Sequence, residues 1–102
     1  MTAVISPQIA LDVGTPGTLA VRGELSFDTA AGALQSIQAA LADSGVRQLN
    51  LAGVTRSDSA GLACILAVAA DASRQGRALE VANMPVAMRT LAQVCEVDQL
   101  IG

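Results

Sequence analysis

The chain has 102 residues, 52% of them apolar and 15% charged, which is one domain's worth of sequence with enough apolar material to fold without disulfides or metal. Six basic residues, all Arg, stand against nine acidic ones; the net charge of −3 excludes a nucleic-acid footprint and a polybasic membrane signal. The absence of His removes Ser-His-Asp and Cys-His catalysis and any His-containing zinc site, and one Phe with no Trp or Tyr leaves no stacking platform for bases or sugars.

Val4 to Val13 reads as an opening strand, and Pro7, which donates no backbone hydrogen bond, assigns it to a sheet edge. Gly14-Thr15-Pro16-Gly17 is a turn, and Thr18 to Gly23 alternates as a second strand, so the two form a hairpin. Asp28-Thr29 supplies a helix N-cap. Ala30, Ala33, Leu34, Ile37, Ala40 and Leu41 then recur at helical spacing, which predicts an amphipathic helix over Thr29–Asp43, closed by Ser44-Gly45.

Gln48 to Leu51 is a short central strand, and Gly53 to Asp58 a polar loop. Ser59 to Gln75 is a second helix, stopped by Gly76, and Ala78 to Val81 a further strand. Pro85 suits the first turn of a third helix, with Met88, Leu91, Ala92 and Cys95 as its apolar stripe. Glu96 to Gly102 is a short closing segment. Alternating strands and helices after a hairpin predict an α/β fold: a four-stranded, mixed and mostly parallel sheet carrying about three helices, in a single domain over residues 1–102. Met1 to Ile9 lacks the pattern of a secretion signal, and the uncharged runs Thr29–Ala42 and Ser59–Ala70 are too short to span a bilayer.

The chemistry gathers where the central strand hands over to the second helix. A helix start exposes unpaired N–H groups and the positive end of the macrodipole. Asp58 and Ser59 stand there, at the carboxyl end of a strand, where open α/β sheets place their sites. Capping alone explains such residues; a Ser at this place is equally suited to carry a phosphate, and the two roles are compatible. In the second helix Leu62, Ile65, Leu66, Ala69 and Ser73 make a stripe for the sheet, while Ala60, Ala63, Cys64, Ala67 and Val68 are small or apolar on other faces. A helix apolar nearly all round is covered on more than one side, here by a partner protein, although Ala is also the best helix former.

Cys64 reads as a packing residue rather than a reactive thiol, since no basic neighbour lowers its pKa. Cys64 and Cys95 form no disulfide framework. Arg56 is able to reach a carboxylate or phosphate on a partner, or simply to stay solvated. Ser57, Asp58 and Ser59 have no His or Lys as base, so no hydrolase is expected. Gly14-x-x-Gly17 lacks the Lys of a phosphate loop, and Asp12, Asp28 and Asp58 lack calcium-loop spacing; no cofactor or metal is expected.

From Leu19 to about Ile101 the chain resembles the STAS domain family, shared by anti-sigma-factor antagonists and the cytoplasmic ends of sulfate transporters. The resemblance is carried by Val21-Arg22-Gly23-Glu24-Leu25, by Leu49-Asn50-Leu51, and above all by Asp58-Ser59-Ala60-Gly61-Leu62, which matches the family's Asp-Ser/Thr-small-Gly-Leu signature. In family members that act as phospho-switches the residue after the Asp is phosphorylated, here Ser59. Ala60 departs from many such switches, which carry a second Ser.

Within the family, Val54 to Ala63, Arg74-Gln75-Gly76 and the Leu91-Ala92 region look most like the small subunits of Mla-type phospholipid ABC transporters. That likeness implies a non-catalytic cytoplasmic adaptor, peripheral to the inner membrane through its complex. Its partner would be the transporter's ATPase, and its role the support of transport that maintains outer-membrane lipid asymmetry. Ser59 would sit in the contact, supported by Arg56, Ser57, Asp58, Ala60, Ala63, Cys64 and Ala67. The alternative implied by the same family is an anti-sigma-factor antagonist that meets a serine kinase at Ser59. Either reading requires the Ser59 hydroxyl to be reachable from outside.

Overall fold

In the computed structural model, residues 2–6, 9–42 and 45–101 are described. Three β-strands, β1 (Thr2–Ser6), β2 (Ile9–Asp12) and β3 (Thr18–Leu25), precede helix α1 (Ala30–Ala42). Strand β4 (Gln48–Ser57), helix α2 (Ser59–Arg74), strand β5 (Glu80–Ala82) and helix α3 (Val86–Val94) follow, and a short 3-10 turn spans Asp98–Leu100. The sheet runs in chain order, β1-β2-β3-β4-β5. β1–β2 and β2–β3 pair antiparallel, β3–β4 and β4–β5 parallel.

The mixed sheet with an opening hairpin and three helices is as expected from the sequence. Its make-up differs at the N-terminus. The stretch read as one opening strand forms two, β1 and β2, giving five strands and equal shares of parallel and antiparallel pairing. Pro7 itself lies outside the described residues, as do Asp43 and Ser44 at the expected end of α1.

Alternation along the strands sets one face against the helices. Ile9 and Leu11 of β2, Leu19 and Val21 of β3, and Leu49 and Leu51 of β4 are all buried there. The register keeps them side by side, with Leu11 opposite Val21 and Leu19 opposite Leu49. The other face carries Ala20, Arg22, Gln48 and Asn50 and meets solvent, where Arg22 pairs with Asp12 at 3.0 Å. One polar and one apolar face is what period-two alternation dictates.

Helix α1 lays Ala33, Ile37 and Leu41 on the core, along the stripe its sequence predicts. It packs beside α2, as two parallel crossovers taken in one direction across a sheet require. The buried face of α2 is Gly61, Leu62, Cys64, Ile65, Val68 and Ala72. This corrects the expected stripe: Cys64 and Val68 turn inward, and Ser73 is exposed. α3 contributes Met88 and Ala92 to the core, while Cys95, expected in its stripe, is exposed.

The residues Gly53 to Ser57, read as a loop, continue β4 instead. They pair with β3 as far as Leu25 opposite Ser57, and Val54 is buried. Two register shifts in that pairing, between Ala20 and Arg22 and between Gly23 and Glu24, bend the strands on the way. β3 and β4 therefore end together, and both turn into helices at the same edge of the sheet. Among the described residues, no helix is long and apolar enough to cross a membrane.

Candidate functional site

Two strand-to-helix turns meet at this edge. On the β3 side, the Thr29 hydroxyl donates to the Glu24 carbonyl at 2.8 Å and accepts from the Ser26 N–H at 2.9 Å. Thr29 is buried, so this knot closes the turn from inside. Its role is not the side-chain helix cap expected of Asp28-Thr29. The Ser26 carbonyl receives the first N–H groups, from Thr29 and Ala30. Between them Phe27 and Asp28 project into solvent.

On the β4 side, Asp58 is the N-cap of α2. Its Oδ1 accepts from the N–H of Ala60 at 2.9 Å and of Gly61 at 3.1 Å. Its Oδ2 accepts from the Phe27 N–H at 3.0 Å, across 31 positions of sequence. Three N–H donors favour the ionised carboxylate. The Phe27 bond foremost, then that of Gly61, holds the Asp58 pKa below the usual carboxylate value, with smaller help from Ala60 and the Arg56 charge.

Each residue of the Asp58-Ser59-Ala60-Gly61-Leu62 run has a physical task. Asp58 caps the helix and ties down the neighbouring turn. Gly61 stands where a Cβ would come within 2.1 Å of the Leu25 carbonyl oxygen, so only glycine lets α2 approach the end of β3 so closely. Leu62 enters the core. Ala60 is half-buried. Ser59, the first residue of α2, is exposed, and its hydroxyl makes no hydrogen bond to another described residue. The cap is thus Asp58, and the hydroxyl beside it is left free.

The other candidate residues divide by burial. Arg56 is exposed and pairs with Glu24 at 3.7 Å, and Ser57 is half-buried at the end of β4. Ala63 is exposed and Ala67 half-buried, one and two turns on from Ser59 along the outer face of α2. Cys64 does not belong to that surface. It is 4% exposed, and burial pushes its thiol pKa up to about 11. Among the described residues, no three His, Cys, Asp or Glu side chains gather as a metal site.

One residue of this surface escapes a motif-led reading. Phe27, the chain's one aromatic, is 81% exposed on the turn that Asp58 holds. Its only signal in the sequence is its isolation, an aromatic between Ser26 and Asp28 that belongs to neither flanking apolar stripe.

A profile of the family described as "Mlab, STAS domain" matches residues 12–102. No curated protein sequence matches the chain. Among solved structures, that of the anti-sigma factor antagonist SpoIIAA in its unphosphorylated form superposes with a TM-score of 0.68, at 17% identity, covering 92% of this chain and 85% of that one. The phosphorylated form of the Bacillus cell fate determinant SpoIIAA gives 0.66 at 18% identity, covering 92% and 88%. At such identities the likeness establishes the fold.

Proposed function

The chain belongs to the STAS domain family, and on that premise we propose that it is a non-catalytic adaptor. In this reading it binds the ATPase subunit of an Mla-type ABC transporter and supports the phospholipid transport that maintains outer-membrane asymmetry. It works from the cytoplasmic side and reaches the membrane through that complex. The observation that carries a docking role is the free, exposed hydroxyl of Ser59, first in a helix whose cap is already supplied by Asp58. A hydroxyl so placed serves no structural bond among the described residues. The chain has no His or Lys to activate it as a nucleophile. The Mla-type partner is favoured by the family description, which names Mlab.

The experiment is co-purification of the tagged chain from its own cells with identification of the bound proteins, alongside deletion of its gene. Recovery of the transporter ATPase, together with a permeable outer membrane in the deletion strain, supports the reading. Absence of the ATPase with an intact outer membrane overturns it.

A second reading is favoured by the same free hydroxyl. Placed at a helix N-terminus, Ser59 suits a phosphate, as in an anti-sigma-factor antagonist switched by a serine kinase. The intact mass of the chain, isolated with its cognate kinase present, decides. A phosphoform at Ser59 supports the switch, and an unmodified mass under every growth condition counts against it.

A further inference from the structure

We propose that Phe27 is the anchor with which the Ser59 surface engages its protein partner, and that the partner meets it with an apolar pocket rimmed by basic side chains. This rests on the reading of the α2 start as a docking surface. Most of the Phe27 side chain lies in water, although a polar residue would satisfy the turn equally well. Its backbone is fixed: its N–H is bonded to Asp58 Oδ2 at 3.0 Å, and the turn behind it is closed by the buried Thr29. Because Asp58 also caps α2, one carboxylate sets the spacing between Phe27 and Ser59. An aromatic held in advance loses little freedom on binding, and aromatic residues are enriched among those that dominate interface energies.

The chemistry around the ring specifies the partner. Asp28 follows it and is exposed, and the exposed Asp58 is held in its charged form. Arg56, the nearby cation, is paired with Glu24. The surround is therefore acidic, and its complement is a cationic rim. The same charge opposes insertion of Phe27 into an anionic lipid surface.

The test is calorimetric titration of the purified Mla-type ATPase subunit of the same cells with the wild-type chain and with Phe27→Ala, Phe27→Leu and Asp28→Lys. Phe27→Ala is expected to weaken binding by about 30-fold or more, with an unchanged melting temperature. Phe27→Leu should stay within a few-fold of wild type, and Asp28→Lys should bind more weakly and with less dependence on salt. Equal binding by wild type and Phe27→Ala overturns this proposal and leaves the adaptor reading standing. No binding by the wild-type chain removes both. Phe27-dependent binding to phosphatidylglycerol vesicles, with the ATPase indifferent to residue 27, overturns it in favour of a lipid contact.

Discussion

Asp58 and Phe27, 31 positions apart, are joined by one hydrogen bond of 3.0 Å from the Phe27 N–H to Asp58 Oδ2. The other oxygen of the same carboxylate holds the Ala60 and Gly61 N–H groups. One side chain thus caps a helix and staples two turns. Asp58→Ala should lower the melting temperature by about 4 to 8 °C, the usual effect of losing an N-cap in a domain of this size. Asp58→Asn keeps the acceptor for α2 but turns an N–H toward Phe27. It should fall between the two and raise amide exchange at Phe27, which hydrogen exchange reads directly.

The same carboxylate gives the fold an acid-sensitive component. The Asp58 pKa is lowered in the folded chain, chiefly by the Phe27 bond, from its ordinary 3.8. A depressed folded pKa contributes stability that is fully present above the unfolded value and is lost as pH falls through the folded one. The advantage of wild type over Asp58→Asn should therefore be constant at neutral pH and shrink as pH drops below about 4. Denaturation midpoints of both proteins between pH 7 and 2.5 check this; a gap independent of pH would refute it.

Gly61 is required by contact. A Cβ there would lie 2.1 Å from the Leu25 carbonyl oxygen, an atom that cannot swing aside. Gly61→Ala should destabilise by at least about 2 kcal/mol, by forcing α2 off the end of β3. Gly45→Ala, with nothing within 4 Å of the added carbon, is the control and should unfold near the wild-type midpoint.

The element order from β3 onward, the stripe of α1 and the start of α2 at Asp58-Ser59 are legible in the residues, because each depends on local periodicity or on a short motif. What escaped depends on distant partners. Gly53 to Ser57 look like a loop by composition, and they become strand because Arg22 to Leu25 lie alongside to receive their hydrogen bonds. The alternation of Val4 to Val13 is the same whether one strand continues or two fold back, so the β1–β2 pairing leaves no local trace. On α2, Ala at so many positions blurs the apolar stripe, so that the residues alone assign Cys64 and Val68 to other faces, whereas both are buried in the fold. The backbone of the exposed Phe27 is held by a carboxylate from the other turn, a contact that no reading of residues 26–28 alone contains.

The two thiols should react in sequence. Cys64 is buried, with its pKa pushed up to about 11, whereas Cys95 is exposed beyond α3. Only the thiolate attacks a disulfide reagent. At pH 8 the native chain should release about one equivalent from Ellman's reagent quickly, and the second only at the rate at which the fold opens. Replacing Cys95 with Ser should abolish the fast phase. Two fast equivalents in the native state would show Cys64 to be accessible and restore it to the outer surface.

Ser59 separates folding from docking. Its exposed hydroxyl supports no bond to another described residue, so Ser59→Ala should unfold at the wild-type midpoint. Ser59→Asp sets a negative charge at the first residue of α2, where the macrodipole favours it by about 0.3 to 1 kcal/mol. Its stability should be equal to wild type or slightly higher. Docking responds in the opposite sense, because a partner that covers Ser59 must strip water from the new carboxylate. Affinity for the transporter ATPase should therefore fall by at least about tenfold for Ser59→Asp, a loss of about 1.4 kcal/mol, while Ser59→Ala stays within a few-fold of wild type unless the hydroxyl bonds to the partner. A variant that is no less stable and yet binds worse cannot be failing through its fold. Unchanged affinity of Ser59→Asp would place the contact elsewhere on the chain and remove Ser59 from it.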